Sequence, residues 1–119
     1  MKALKTDATI PSNIRVSRKE RDVRPHFLEH AEGEGSPRRI RLDKPQLAIG
    51  RGEDDDIRVL SQRASREHAI LCRQEEDYVI QDNGSRNGVF LNGVKIHSGV
   101  LRDGDVLQVA DGVFVYHEG

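Results

Sequence analysis

The sequence predicts an all-β protein, an antiparallel β-sandwich of about ten or eleven short strands with little or no helix. Short segments with apolar residues at every second position recur along most of the chain, which is the spacing of strands that bury one face. Glycine-containing turns separate these segments, as they do in antiparallel sheets. No window of useful length has the 3.6-residue apolar period of an amphipathic helix.

The chain divides into a tail and one domain. Residues 1–22 mix charges with Thr, Ser, Asn and Pro and show no sustained apolar period, so we expect them to be disordered. They carry six Lys/Arg and three Asp/Glu, a net charge of +3, which leaves −4 for residues 23–119 because the whole chain has −1. Residues 23–119 are predicted to form a single sandwich domain, long enough to bury a core without disulfides.

Ten strands can be placed from the alternation, taken in chain order. They are expected at residues 26–31, 38–42, 46–50, 57–59, 69–73, 78–81, 89–91, 94–96, 106–109 and 113–117. In the third strand, for example, Leu47 and Ile49 share one face and are expected to point into the core. Cys72 lies in an apolar segment and is expected to be a small core residue.

The turns between these strands have specific chemistry. Asn92-Gly93 between two apolar segments predicts a two-residue hairpin, because both residues tolerate positive φ. The segments 33–37, 103–105 and 111–112 combine glycine with Ser, Pro or Asp and mark further turns.

Composition excludes several classes of function. Aromatic residues make up 4% of the chain and the net charge is −1, which argues against a general DNA- or RNA-binding protein. A single cysteine rules out an internal disulfide and a Cys-rich zinc site. No apolar run reaches membrane-spanning length and residues 1–12 lack a signal-peptide core, so we expect no membrane insertion and a cytoplasmic protein.

The residues best suited to binding chemistry lie in loops at predicted strand ends. Arg51 follows one strand, Ser65 and Arg66 precede another, and a turn at residues 83–88 follows a third. A guanidinium fork, a hydroxyl and free backbone N–H groups are the donors that a phosphate dianion requires. Because the surrounding domain is acidic, a local basic cluster predicts a local anionic ligand, such as a phosphate carried on a peptide.

These motifs also resemble a known family. The ordered set is Gly50-Arg51, Ser65-Arg66-x-His68, Asp82-x-Gly84-Ser85-x-Asn87-Gly88, Asn92-Gly93 and Leu101-x-Asp103-Gly104-Asp105. It is similar to the pattern of the forkhead-associated (FHA) domain, a phosphothreonine-binding module, and the match covers roughly residues 24–119. The resemblance implies a non-catalytic, monomeric protein that binds a phosphothreonine-containing protein or peptide and needs no cofactor or metal.

The resemblance implies a role for each matching position. Arg51 resembles the arginine that grips the phosphate, and Ser65 resembles the serine whose hydroxyl bonds it. Arg66 matches a position that supports the phosphate or the peptide, and Asn87 matches the asparagine that clamps the peptide backbone. Arg86 departs from the family, which often has threonine there, and its role stays open. The remaining matches resemble residues that brace the loops: Gly50, His68, Gly84, Gly88, Asn92 and Gly93.

Several alternatives remain for individual residues. Arg51 could form a surface ion pair with the segment 54–56, and Ser65 could cap a turn. Asn87 could be a turn former only. Ser65 and His68 as nucleophile and base would also need an orienting acid and an oxyanion hole, which the sequence does not indicate.

Two alternatives concern the function of the whole chain. The sandwich could serve as a phosphate-independent scaffold that binds a partner or its own copies through a sheet face. In the other alternative, a phosphorylated Thr6 or Thr9 folds back into the domain's own pocket.

Overall fold

Eleven strands and no helix make up residues 26–119, the part of the chain that the computed structural model describes. Residues 1–25, and with them most of the predicted tail, Thr6 and Thr9, lie outside the described residues. The strands are β1 His26–Glu32, β2 Arg38–Leu42, β3 Gln46–Gly50, β4 Ile57–Arg58, β5 Ala69–Gln74, β6 Asp77–Asp82, β7 Val89–Leu91, β8 Val94–Ile96, β9 Ser98–Val100, β10 Val106–Val109 and β11 Gly112–His117. Within this part of the chain there is no helix that could span a membrane.

The strands form two sheets packed face to face. One sheet has five strands in the order β9-β6-β5-β3-β4, and the other has six in the order β2-β1-β11-β10-β7-β8. The all-β sandwich predicted from the sequence is therefore confirmed. One pair departs from the antiparallel expectation, because the two-residue edge strand β4 runs parallel to β3.

The core lies between the two sheets, and the alternation of the strands supplies it. In β3, Leu47 and Ile49 are buried, as the two-residue period predicts. Opposite them, Phe114 and Tyr116 of β11 are fully buried, and each is flanked in the strand by less buried residues. The Tyr78 hydroxyl donates to the Lys44 carbonyl at 2.7 Å, so the polar group of this large core side chain has a hydrogen-bond partner.

Cys72 is not a core residue, which corrects the expectation from the sequence. Ala69 and Leu71 of β5 are fully buried, so the intervening side chains point to the outer face of the five-stranded sheet. Cys72 lies on that outer face, is only partly buried, and pairs with Val79. The error arose because Ile70 and Cys72 are as apolar as their inward-facing neighbours, so the period did not distinguish the two faces.

The sheet register brings three strand ends together. Ile49 pairs with Ala69, and Ala69 pairs on its other side with Asp82. The end of β3, the start of β5 and the end of β6 therefore lie side by side at one edge of the five-stranded sheet. The loops that follow or precede these ends are 51–56, 59–68 and 83–88, which are the loops that carry the sequence motifs.

Candidate functional site

Gly50 allows the first two of these loops to approach each other. A Cβ atom at this position would lie 2.5 Å from the Ser65 carbonyl oxygen, 2.7 Å from the Glu67 nitrogen and 2.5 Å from Asp55 Oδ2. Two of those three atoms belong to the backbone and cannot move aside without moving the loop. Only glycine therefore fits between the ends of β3 and β5.

A buried carboxylate joins the same two loops. Asp55 is 9% exposed, and its Oδ2 accepts hydrogen bonds from the Gly52 N–H at 2.8 Å and the Glu67 N–H at 3.1 Å. These bonds satisfy the charge with two backbone donors, one from each loop. Sequence reasoning missed Asp55 because it lies in a run of four acidic residues that looks like a solvated turn.

Arg51 is fixed at this edge by two hydrogen bonds to the second loop. Its backbone N–H donates to the Ser65 carbonyl at 3.0 Å, and its side-chain Nε donates to the Ala64 carbonyl at 2.9 Å. Among residues 26–119 no ion pair involves Arg51, so the alternative pairing with residues 54–56 is not observed. Asp56 instead pairs with Lys44 at 2.8 Å. The exposed guanidinium is thus positioned without a carboxylate partner in the described part of the chain.

His68 holds the second and third loops together. The ring is fully buried, and its Nδ1 accepts the Ser65 backbone N–H at 3.0 Å. Because Nδ1 accepts, the ring proton is assigned to Nε2, which donates to the Gly88 carbonyl at 2.8 Å. The Asn83 N–H in turn donates to the His68 carbonyl at 3.0 Å. This geometry suits a structural brace, since both ring nitrogens are already engaged.

Ser65 connects the second loop to the third. Its Oγ accepts the Arg86 backbone N–H at 3.3 Å, which leaves the hydroxyl proton free to donate elsewhere. Asn87 makes a second connection, because its Nδ2 donates to the Arg63 carbonyl at 2.7 Å. Asn83, to which the sequence assigned no role of its own, makes a third through Nδ2 to the Glu67 carbonyl at 3.0 Å.

The turn at residues 83–88 is shaped by its own side chains. Asp82 Oδ1 accepts the Ser85 N–H at 3.0 Å, and Ser85 Oγ accepts the Gly88 N–H at 2.9 Å. Gly84 and Gly88 adopt φ values of +69° and +88°, which glycine tolerates best. Burial raises the pKa of Asp82, but the hydrogen bonds from Ser85 and the two nearby histidines together outweigh burial and leave this pKa below its ordinary value.

The two remaining arginines of the motif are exposed and lie in different settings. Arg66 lines a cleft that it shares with Arg51, whereas Arg86 is not among the residues of that cleft. Neither side chain takes part in an ion pair within residues 26–119. The Arg86 backbone contacts Ser65, but the structure assigns its side chain no contact, so the role of its charge stays open.

A cleft lies at this edge, between the ends of the first two loops. It has a volume of about 590 Å³ and is lined by both signs of charge. Its lining residues are Arg51, Gly52, Glu53, Asp54, Asp55, Arg58, Arg66 and Glu67. Arg58 was not expected from the sequence; it follows Ile57 in the short strand β4, and its Nε points to the Arg51 carbonyl at 3.4 Å.

Asn92 and Gly93 lie in a separate hairpin between β7 and β8. Both have positive φ, 52° and 84°, as the sequence predicts for this turn. The Asn92 side chain bonds the turn before β10: Oδ1 accepts the Val106 N–H at 2.9 Å and Nδ2 donates to Asp105 at 3.0 Å. The contacts of Asn92 are therefore with the framework.

The arrangement can bind an anion on a peptide. A guanidinium held through Nε and a serine hydroxyl with a free proton are donors on two neighbouring loops, and the third loop contacts that serine through the Arg86 N–H. No cluster of His, Cys, Asp and Glu suited to a metal occurs within residues 26–119.

Comparison with known proteins agrees with this geometry. The family model of the FHA domain matches residues 47–110, which include the 51–56, 59–68 and 83–88 loops. The chain belongs to the FHA domain family. Within that family, the ABC transporter ATP-binding/permease protein Rv1747 of Mycobacterium tuberculosis is 39% identical over 73 residues, covering 61% of this chain and 8% of that protein.

Two further relatives match this chain over a longer stretch. The oxoglutarate dehydrogenase inhibitor of Corynebacterium diphtheriae is 34% identical over 73% of this chain and 61% of its own length. The solved structure of Mycobacterium tuberculosis EmbR in complex with a low-affinity phosphopeptide matches with a TM-score of 0.74 and 31% identity, over 81% of this chain and 25% of that one. The chain thus spans less than two thirds of the length of these relatives.

Proposed function

We propose that this FHA domain is a non-catalytic module that binds phosphothreonine peptides and so mediates phosphorylation-dependent protein–protein interaction in signalling. The observation that carries the proposal is the pair of hydrogen bonds from Arg51 to the Ala64 and Ser65 carbonyls. They hold a guanidinium, which has no carboxylate partner among the described residues, against the loop that contains Ser65. That pairing is suited to a phosphate dianion and lacks the base and orienting acid of a hydrolase.

Each site residue has a role in this proposal. Arg51 and Ser65 bind the phosphate, the first as a charged fork and the second as a hydroxyl donor. Arg66 supports the phosphate or the adjacent peptide from the cleft wall. Asn87 contacts the peptide backbone through Oδ1, since its Nδ2 is already bonded to Arg63. Arg86 adds positive charge at the rim of the site.

The number of donors sets the expected affinity. Three or four charge-assisted hydrogen bonds at about 1.5–3 kcal/mol each would contribute roughly 5–12 kcal/mol. The costs of association and of ordering the peptide must be subtracted from that sum. A dissociation constant near the micromolar range, about −8 kcal/mol, is therefore expected for a short peptide.

The mutation Arg51→Ala tests the proposal. It removes the anchored guanidinium, and we expect calorimetry to detect no binding of a phosphothreonine peptide while the circular dichroism spectrum stays unchanged. Arg41→Ala is the matched control, because Arg41 is an exposed arginine on β2 and lies outside the cleft. Binding of the peptide to the Arg51 variant at wild-type affinity would contradict the proposal.

The scaffold function is the second candidate, and one observation favours it. The outer face of the five-stranded sheet carries a strip of uncharged side chains across four strands: Ala48, Ile70, Cys72, Val79 and Val100. Val100 at its edge is 43% exposed. Calorimetry with a phosphothreonine peptide and its unphosphorylated twin separates the two functions, because equal affinities would favour the scaffold.

Three expectations stay predictions about the wider protein. The boundary at residue 23 and the disordered tail await a test by hydrogen exchange. Occupation of the domain's own pocket by phosphorylated Thr6 or Thr9 would be contradicted by mass spectrometry that always finds both threonines unmodified. A cytoplasmic location is testable by cell fractionation.

A further inference from the structure

The cleft beside the proposed phosphate site is larger than a phosphate needs. Its volume is about 590 Å³, within the range of sites that hold a ligand of several groups. A phosphate on Arg51 therefore leaves space for a neighbouring side chain of the same peptide. The chemistry of the remaining walls indicates which side chain fits that space.

The walls carry charges of both signs that do not pair with each other. Arg51, Arg58 and Arg66 line the cleft, and so do Glu53, Asp54 and Glu67. None of the ion pairs within residues 26–119 joins any of these six residues. Both sets of charges thus remain available to a ligand.

An accessible acceptor on a largely buried residue of the same wall supports the presence of a cationic partner. Asp55 is 9% exposed, and both of its backbone donors bond to Oδ2. Its Oδ1 accepts no hydrogen bond from the described residues, although the residue lines the cleft. Oδ1 is not one of the fully buried atoms, so it is accessible and can accept from a donor that enters the cleft.

We propose that this cleft selects phosphothreonine peptides that carry a lysine or arginine close to the phosphothreonine. Glu53 and Asp54 bind the cationic side chain at the rim, and Asp55 accepts from it deeper in the cleft. A phosphate alone would lie near carboxylates without compensation, whereas a peptide with both charges complements both sets of walls. The inference rests on the proposed phosphopeptide function and adds its sequence preference.

A lysine walk tests the preference. A parent peptide has phosphothreonine flanked by alanines, and in each derivative one flanking position, from four before to four after the phosphothreonine, becomes lysine. We expect one position, or two adjacent ones, to tighten binding about threefold to tenfold, the effect of a few exposed or partly buried ion pairs. Glutamate at the same position is expected to weaken binding.

Two double variants identify the residues that bind the lysine side chain of the peptide. Glu53→Gln with Asp54→Asn should abolish the gain at that position, while the parent peptide binds at least as tightly as it does to the wild type, because two carboxylates near its phosphate are gone. Glu75→Gln with Glu76→Gln makes the same change in net charge on the turn between β5 and β6, at the opposite end of these strands, and should keep the gain.

The outcomes separate this inference from the function on which it rests. If no position responds to lysine, or if the Glu53 and Asp54 variant keeps the full gain, the preference is wrong although the parent still binds. If the parent peptide binds no better than its unphosphorylated twin, the phosphopeptide function itself is wrong, and the preference falls with it.

Discussion

Gly50 and Gly84 belong to the same sequence pattern, but the structure needs them for different reasons. A Cβ at Gly50 would meet backbone atoms of the second loop at 2.5 Å and 2.7 Å, whereas a Cβ at Gly84 would meet nothing within 4 Å. The cost at Gly84 comes only from its φ of +69°. One position is therefore limited by space and the other by backbone conformation.

The pair Gly50→Ala and Gly84→Ala tests that difference. We expect Gly50→Ala to lower the free energy of unfolding by about 1–3 kcal/mol or more through overpacking and to weaken peptide binding. Gly84→Ala should cost about 1 kcal/mol, the strain of a left-handed residue, with a smaller effect on binding. Urea denaturation and peptide titration measure both quantities, and equal losses of stability in the two variants would contradict this account.

His30 is a second residue whose surroundings have a measurable effect, in this case on how stability depends on pH. It is 1% exposed, its Nδ1 accepts from Arg38 Nε at 3.1 Å, and its Nε2 is buried without a hydrogen-bond partner among the described residues. Burial, and then the charge of Arg38, lower the pKa of His30. The unfolded chain therefore takes up a proton at a higher pH than the folded protein does.

The expected result is a stability that falls as pH falls below about 6.5, the ordinary pKa of histidine, until the lower folded pKa is reached. His30→Leu removes this proton uptake, so the loss of unfolding free energy between about pH 7 and pH 5 should become smaller. His97→Gln is the control, because His97 is exposed. An unchanged pH dependence in the His30 variant would show that other groups cause it.

At the scale of elements, the turn at residues 83–88 depends on one carboxylate. Burial raises the pKa of Asp82, but the Ser85 bonds and two nearby histidines together keep it below its ordinary value, so the ionised form stabilises the folded turn. This contribution is fully present above about pH 4 and is lost as pH falls through the folded pKa.

Asp82→Asn tests the contribution of this turn. We expect a lower free energy of unfolding at neutral pH and a weaker dependence on pH below about 4, because the variant cannot be protonated there. Denaturation midpoints measured from neutral to acidic pH give both the loss of stability and its dependence on pH. Equal acid sensitivity in the wild type and the variant would contradict the role assigned to Asp82.

The sequence predicted the strands in which apolar and polar side chains alternate. It did not predict strands that are too short, or too poor in apolar residues, to show that alternation. Ten strands came from apolar periodicity, but β9 was missed because Ser98-Gly99-Val100 contains a single large apolar residue. The parallel pairing of β4 was also missed, since a two-residue strand has no pattern that sets its direction. Both elements are at edges of the five-stranded sheet, where burial constrains the sequence least.

The candidate site was predictable where the chemistry is local to a motif. Arg51 and Ser65 were singled out from the sequence, and the register of β3 and β5 places them next to each other. Asp55 and Arg58 were not, because their contacts join atoms that only the folded loops bring together. Asp55 bonds a nitrogen 12 positions away, which no pattern of spacing reveals.

At the scale of the whole molecule, the domain boundary makes a prediction. The first described strand begins at His26, and the eleven strands of the described residues form both sheets of the sandwich. We expect a truncated protein of residues 23–119 to unfold at the same temperature as the full chain and to bind a phosphothreonine peptide with equal affinity. Calorimetry measures both, and a lower unfolding temperature would show that the preceding residues stabilise the domain.

The bond from Arg51 Nε to the Ala64 carbonyl also bears on how quickly partners are captured. It immobilises the guanidinium before any ligand arrives, so the conformational entropy lost on binding is mainly that of the incoming peptide. Capture by a preorganised receptor of this kind proceeds at similar rates for related ligands, and selectivity among them is expressed in how long each complex lasts. Competing partners are then sorted by residence time.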